Sequence, residues 1–179
     1  ERTDMKNVLG FMRKLQKNNN REWFNDHKKE YKEVQAEFDA FVAELIDGIA
    51  SFDDSVRGLT VKDCTYRIYR DTRFSNDKTP YKNHMGAYIC PGGKKSGRAG
   101  YYFHVEPSVD TQGGAYFMTS GIYMPEPKVL RSVREDICYN GEEFLKTVER
   151  ADGFRISRDN MLKRIPLGFP ADSPYAEYL

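Results

Sequence analysis

Residues 66 to 88, YRIYRDTRFSNDKTPYKNHMGAY, constrain the fold of this chain more than any other stretch. β-Branched and aromatic residues stand at both ends, and a polar, turn-forming run separates them, so the pattern predicts a strand, a charged loop and a second strand. In the first strand, residues 60 to 70, Cys64, Tyr66 and Ile68 share one face and Thr65, Arg67 and Tyr69 the other. In the second, 84 to 90, Met85, Ala87 and Ile89 oppose His84, Tyr88 and Cys90. The side-chain period of two then sets a buried face (Tyr66, Ile68, Met85, Ala87) against a presented one (Arg67, Tyr69, His84, Tyr88).

The pattern continues downstream. PGGKKSGRAG reads as an exposed, glycine-rich hairpin loop. Residues 99 to 106 follow it, with Tyr101, Phe103 and Val105 on one face and Tyr102, His104 and Glu106 on the other, and a fourth strand is expected over 113 to 124. Short connections between successive strands favour antiparallel pairing.

Helical periodicity precedes and follows these strands. Met5, Val8, Leu9, Met12 and Leu15 make one stripe, with Thr3 or Asp4 placed to cap it. The asparagines 18 to 20 end that helix, and a longer one with a wide apolar stripe, from Trp23 to Ile49, begins near Asn20. Pro127 opens a helix carrying Val129, Leu130, Val133 and Ile137, and Asn140 caps another carrying Phe144, Leu145 and Val148. A short strand is expected at FRIS, 154 to 157. The fold class that follows is α+β: a mainly antiparallel sheet with N-terminal helices packed on one face and two further helices after the last long strand. A length of 179 residues suits one domain, 1–179.

Composition limits the function classes. With 39% apolar and 31% charged residues and a net charge of +1, the chain has no global attraction to nucleic acid or anionic membrane. The three cysteines, Cys64, Cys90 and Cys138, lack CxxC spacing, which argues against a disulfide framework and fits a reducing cytoplasm. No apolar run reaches membrane-spanning length, so no membrane association is expected. No GxSxG, Walker A or Rossmann fingerprint is present, which removes the common hydrolases and nucleotide folds and leaves the cofactor open.

What remains is a local cluster. Between Lys62 and Lys82 six basic residues face three acidic ones. Arg67, Arg70, Arg73, Lys78 and Lys82, with Tyr81, His84 and Tyr102, suit an oxyanion, because guanidinium groups grip phosphate or carboxylate with two prongs. A phosphate-bearing ligand is therefore the favoured partner. His104, polarised by Glu106 or Asp71, has the makings of a general base. The interleaved aromatics offer a less favoured alternative, stacking on the bases of single-stranded nucleic acid. His84, His104 and Glu106 have the composition of a two-histidine, one-carboxylate metal site, without HxH or HExxH spacing. The bland alternative is that Arg70, Arg73, Asp71 and Asp77 pair with one another and brace a long loop.

The segment at 66 to 88, together with NNNREWFNDHKKEY at 18 to 31, GYYFHVEP at 100 to 107 and GIYMPEP at 121 to 127, resembles the domain of unknown function 2461 family of bacteria and fungi. The likeness covers nearly the whole chain. It implies a fold and a set of motif positions without an activity, and it implies a further helix beyond Leu179, so that the domain is read as truncated at its C-terminus.

Overall fold

The structure, a computed structural model, describes residues 5–107, 115–158 and 161–179. It divides into two compact units, Glu1–Tyr123 and Met124–Leu179. Its architecture is α+β, with N-terminal helices, an antiparallel sheet and a helical segment after the sheet. Among the described residues no helix is long and apolar enough to cross a membrane.

In the first unit, α1 (Lys6–Lys17) buries Val8, Leu9, Phe11, Met12 and Leu15, the stripe expected of it. The capping candidates Thr3 and Asp4 lie outside the described residues. Asn18 closes α1, and the Asn20 side chain accepts a bond from the Trp23 N–H to open α2 (Arg21–Asp26). The expected single long helix is broken at His27. This residue leaves helical geometry, its ring stacks on Trp23 at 4.0 Å, and its Nδ1 lies 2.8 Å from the Trp23 carbonyl oxygen. Beyond the break, α3 (Lys28–Ala50) buries Val34, Phe38, Val42, Ile46 and Ile49, one residue per turn.

The expected first strand is not formed. Thr60 and Asp63 make a capping pair instead, the Asp63 carboxylate accepting from the Thr60 N–H (2.9 Å) and hydroxyl (2.6 Å), and they start a one-turn helix, α4 (Val61–Cys64). The chain then runs extended, and its strand-like pairing is confined to the isolated bridges Thr65–Ala87 and Tyr69–Tyr81.

Three strands therefore build the sheet: β1 (Met85–Ile89), β2 (Gly100–Glu106) and β3 (Ala115–Gly121), antiparallel in the order β1-β2-β3. Met85, Ala87 and Ile89 face Val105, Phe103 and Tyr101 across the first ladder, which makes one apolar face. Phe38 and Phe41 of α3 cover it, with ring centroids 6.4 and 4.9 Å from Phe103. Its opposite face carries Gly86 and Tyr88 from β1, Tyr102, His104 and Glu106 from β2, and Phe117 and Thr119 from β3. This second face is where the polar cluster lies.

In the second unit, Pro127 opens α5 (Pro127–Arg150), and the two expected helices run into one another through a kink at Asn140 (φ −121°, ψ 27°). Gly141, next in line, is buried against the Tyr175 ring, where a Cβ would collide. The expected FRIS strand is absent: residues 154 to 157 are irregular. A strand needs a partner for its backbone groups, and the described residues supply none there. The tail is held instead by the Arg158–Glu177 ion pair (2.6 Å) and by Phe144 against Tyr178 (5.5 Å, edge-on).

Candidate functional site

The segment from Tyr66 to His84 hangs from a short ladder. The Lys82 N–H donates to the Ile68 carbonyl (2.8 Å), and the Arg70 N–H to the Pro80 carbonyl (3.0 Å). Ile68 and Tyr81 point into the core, Tyr81 stacking on Phe24 at 4.0 Å. Asn19 clamps the far end. Its Oδ1 accepts from the Tyr81 N–H (3.1 Å), and its Nδ2 donates to the Tyr81 carbonyl (2.9 Å) and to Asn83 Oδ1 (3.2 Å). Part of the asparagine run thus fixes the entry to β1.

Charges within the loop pair locally. Arg73 grips Asp71 with two prongs (2.9 and 2.6 Å) and holds its carboxyl well below the usual carboxylate range. Arg70 Nη1 meets Asp77 Oδ2 at 2.6 Å, and Lys78 Nζ donates to the Thr72 carbonyl (2.9 Å).

The middle of this segment serves one opening and its two ends another. A hollow of about 640 Å³ is lined by Asn19, Asn20, Arg21, Asn25, Tyr69, Arg70, Thr72, Lys78, Pro80 and Tyr81. A cleft of about 540 Å³ lies on the sheet's second face, walled by Tyr66, Tyr88, Tyr102, Phe117 and Tyr123 with Lys82, His84, His104, Thr119 and Ser120 among its lining. Lys82 is tied to the Arg67 carbonyl (2.8 Å) and lies over the Tyr66 ring, and burial together with the Arg67 charge lowers its pKa.

On the cleft floor His104, 9% exposed, is sandwiched between the His84 ring (4.6 Å) and the Phe117 ring (4.8 Å). Its Nδ1 lies 2.9 Å from the Tyr102 hydroxyl, and its Nε2 lies 3.4 Å from Glu106 Oε2. Burial, followed by the His104 and Lys82 charges, pushes the His84 pKa down to about 4, so its imidazole is neutral at physiological pH. Gly86 leaves room for this arrangement: a Cβ there would stand 2.7 Å from the Tyr102 hydroxyl oxygen.

The candidate residues are thus distributed rather than gathered in one cleft. His84, His104, Glu106, Tyr102 and Lys82 come together on the sheet, whereas Arg70, Lys78 and Tyr81 line the hollow. Arg67 and Arg73 belong to neither lining. Glu106, not Asp71, is the carboxylate beside His104, since Asp71 is taken by Arg73 two residues on. Tyr66 is corrected from the buried face to a cleft wall, 44% exposed, because without a regular strand at 60 to 70 the alternation does not carry through. Phe117, Thr119, Ser120 and Tyr123 were not among the expected site residues. The register of β3 brings Phe117 opposite His104 and Thr119 opposite Tyr102, and their period-two spacing is the sequence signal for it. Arg21 and Asn25, on α2, reach the hollow by tertiary packing against the 69 to 81 segment, which no local pattern announces.

A family model described as conserved hypothetical protein (DUF2461) matches residues 7–179. No curated protein and no solved structure matches the chain.

Proposed function

The chain belongs to the domain of unknown function 2461 family, and on that premise we propose that it binds a small phosphate-bearing ligand in the hollow beside Arg70. One observation carries this reading: Arg21, Arg70 and Lys78 line the hollow with the neutral polar side chains of Asn20, Asn25 and Thr72, and no carboxylate is among the lining residues. Three like charges around one space favour an anion, and amide and hydroxyl groups complete its hydrogen bonding. The Asp77 carboxylate engages Arg70 through Nη1, so the guanidinium keeps further N–H groups for a second, two-pronged partner.

Calorimetric titration with inorganic phosphate and with a nucleoside monophosphate tests this. The expected result is saturable one-to-one binding, weakened about tenfold or more by Arg70→Ala and by Lys78→Ala, a loss of roughly 1.4 kcal/mol or more each. Affinity unchanged in both variants overturns it.

A second reading, single-stranded nucleic acid, is favoured by Phe74, which is 95% exposed with the Arg73 guanidinium 5.7 Å from its ring centre, on the same loop as Arg70 and Lys78. Exposed rings among cations can stack bases while the cations follow the backbone. Salt separates the two: strand binding falls steeply with ionic strength and needs Phe74, whereas the small-ligand site depends less on salt and tolerates Phe74→Ala.

A further inference from the structure

We propose that His84, His104 and Glu106 form a binding site for one divalent first-row transition-metal ion, of the zinc or iron(II) kind, beside the aromatic cleft. The three donor atoms lie within 4.8 Å of one another. Strand geometry puts them there. His104 and Glu106 are two apart on β2 and so share a face, and the register Met85–Val105 brings His84, one residue earlier, opposite Glu106.

The spacing of His104 and Glu106 favours an ion between them over a direct bond. Two donors at about 2.0–2.1 Å from a tetrahedral ion stand roughly 3.3–3.4 Å apart. His104 Nε2 and Glu106 Oε2 are 3.4 Å apart, whereas a charge-assisted N–H···O bond runs about 2.7–2.9 Å. The separation matches a ligand–ligand distance.

The other side of His104 is arranged to match. The Tyr102 hydroxyl oxygen, 2.9 Å from Nδ1, is placed to accept Nδ1–H when a metal takes Nε2, because the metal-binding tautomer directs its Nε2 lone pair toward Glu106. The stacked rings of His84 and Phe117 fix its plane. Two imidazoles exclude calcium and magnesium, which take oxygen donors, and select a first-row transition metal. Three protein donors leave at least one coordination position. His84 and His104 also line the aromatic cleft, whose Tyr88 and Thr119 flank Tyr102 on the Nδ1 side of His104. None of these residues lines the hollow of the phosphate reading, so either proposal can fail without the other.

The test uses the full chain, stripped with a chelator and titrated with cobalt(II) and zinc(II). One equivalent per chain is expected, with visible cobalt bands free of thiolate charge transfer, which separates this site from Cys64, Cys90 and Cys138. His84→Ala and Glu106→Gln should each weaken binding about tenfold or more, and Tyr102→Phe should keep the stoichiometry while weakening it about tenfold. Glu106 is partly exposed and Glu106→Gln preserves its shape, so this variant carries the test if His84→Ala fails to fold. Absence of stoichiometric binding, a thiolate band, or affinity unchanged in Glu106→Gln overturns the proposal.

Discussion

The Tyr102 hydroxyl and His104 Nδ1, two residues apart on one strand, stand 2.9 Å from each other on the floor of the sheet's cleft. They meet because the residue paired with His104 across the ladder, Gly86, has no side chain.

Gly86→Ala is the direct consequence. An added Cβ would lie 2.7 Å from the Tyr102 hydroxyl oxygen and 3.1 Å from its ring, so the phenol must swing away and release His104. Forcing a methyl group into a filled site costs about 1–3 kcal/mol. A lowered unfolding midpoint in urea, with a changed His104 ring resonance, is the expected outcome. A midpoint equal to the wild type would mean that Tyr102 has free space elsewhere.

Asn19→Ala should cost about 1–3 kcal/mol in the same assay, because the side chain satisfies both backbone groups of Tyr81 and also reaches Asn83. Tyr81 is buried, so its N–H and C=O have little water to turn to. Asn19→Asp is the informative partner variant. It keeps the acceptor for the Tyr81 N–H, loses the donor to the carbonyl, and should fall between the two.

The Arg73–Asp71 pair should behave differently despite its short contacts. Both side chains are largely solvated, 76% and 47% exposed, and exposed pairs contribute at most about 1 kcal/mol. A double-mutant cycle with Arg73→Ala and Asp71→Ala should give a coupling below that value. A larger coupling would show that the pair organises the whole loop from 70 to 80.

These contrasts mark where local pattern carries structural information and where it does not. The stripe Val8, Leu9, Met12, Leu15 and the alternation of Tyr101 to Glu106 reappear in the fold because one solvent boundary runs along each element. The strand expected at 60 to 70 fails because the mutual bonds of Thr60 and Asp63 reward a helical turn more than an unpaired strand. His104 beside Glu106 was visible as a period-two repeat. Arg70 parting from His84 was not, because which side of a loop faces which opening depends on the Asn19–Tyr81 clamp, 62 residues apart in the chain.

His84 provides a pH test of the cleft in metal-free protein. Its folded-state pKa is about 4, against an ordinary value of 6.5, because burial and the nearby His104 and Lys82 charges disfavour the imidazolium; Glu106 opposes them. A histidine depressed in this way is neutral when folded and takes up a proton on unfolding. Between pH 6.5 and 4 the unfolded chain binds more protons at this position than the folded chain. This contribution to stability is therefore complete above pH 6.5, declines as the pH falls through that window and levels off below pH 4. The measurement is a histidine ring titration by NMR beside urea denaturation at several pH values. His84 should titrate near the bottom of the window, and His84→Gln should flatten the stability profile across it. A His84 ring that titrates near 6.5 would mean that the imidazole is solvated, and that the His84–His104–Phe117 stack is open in solution.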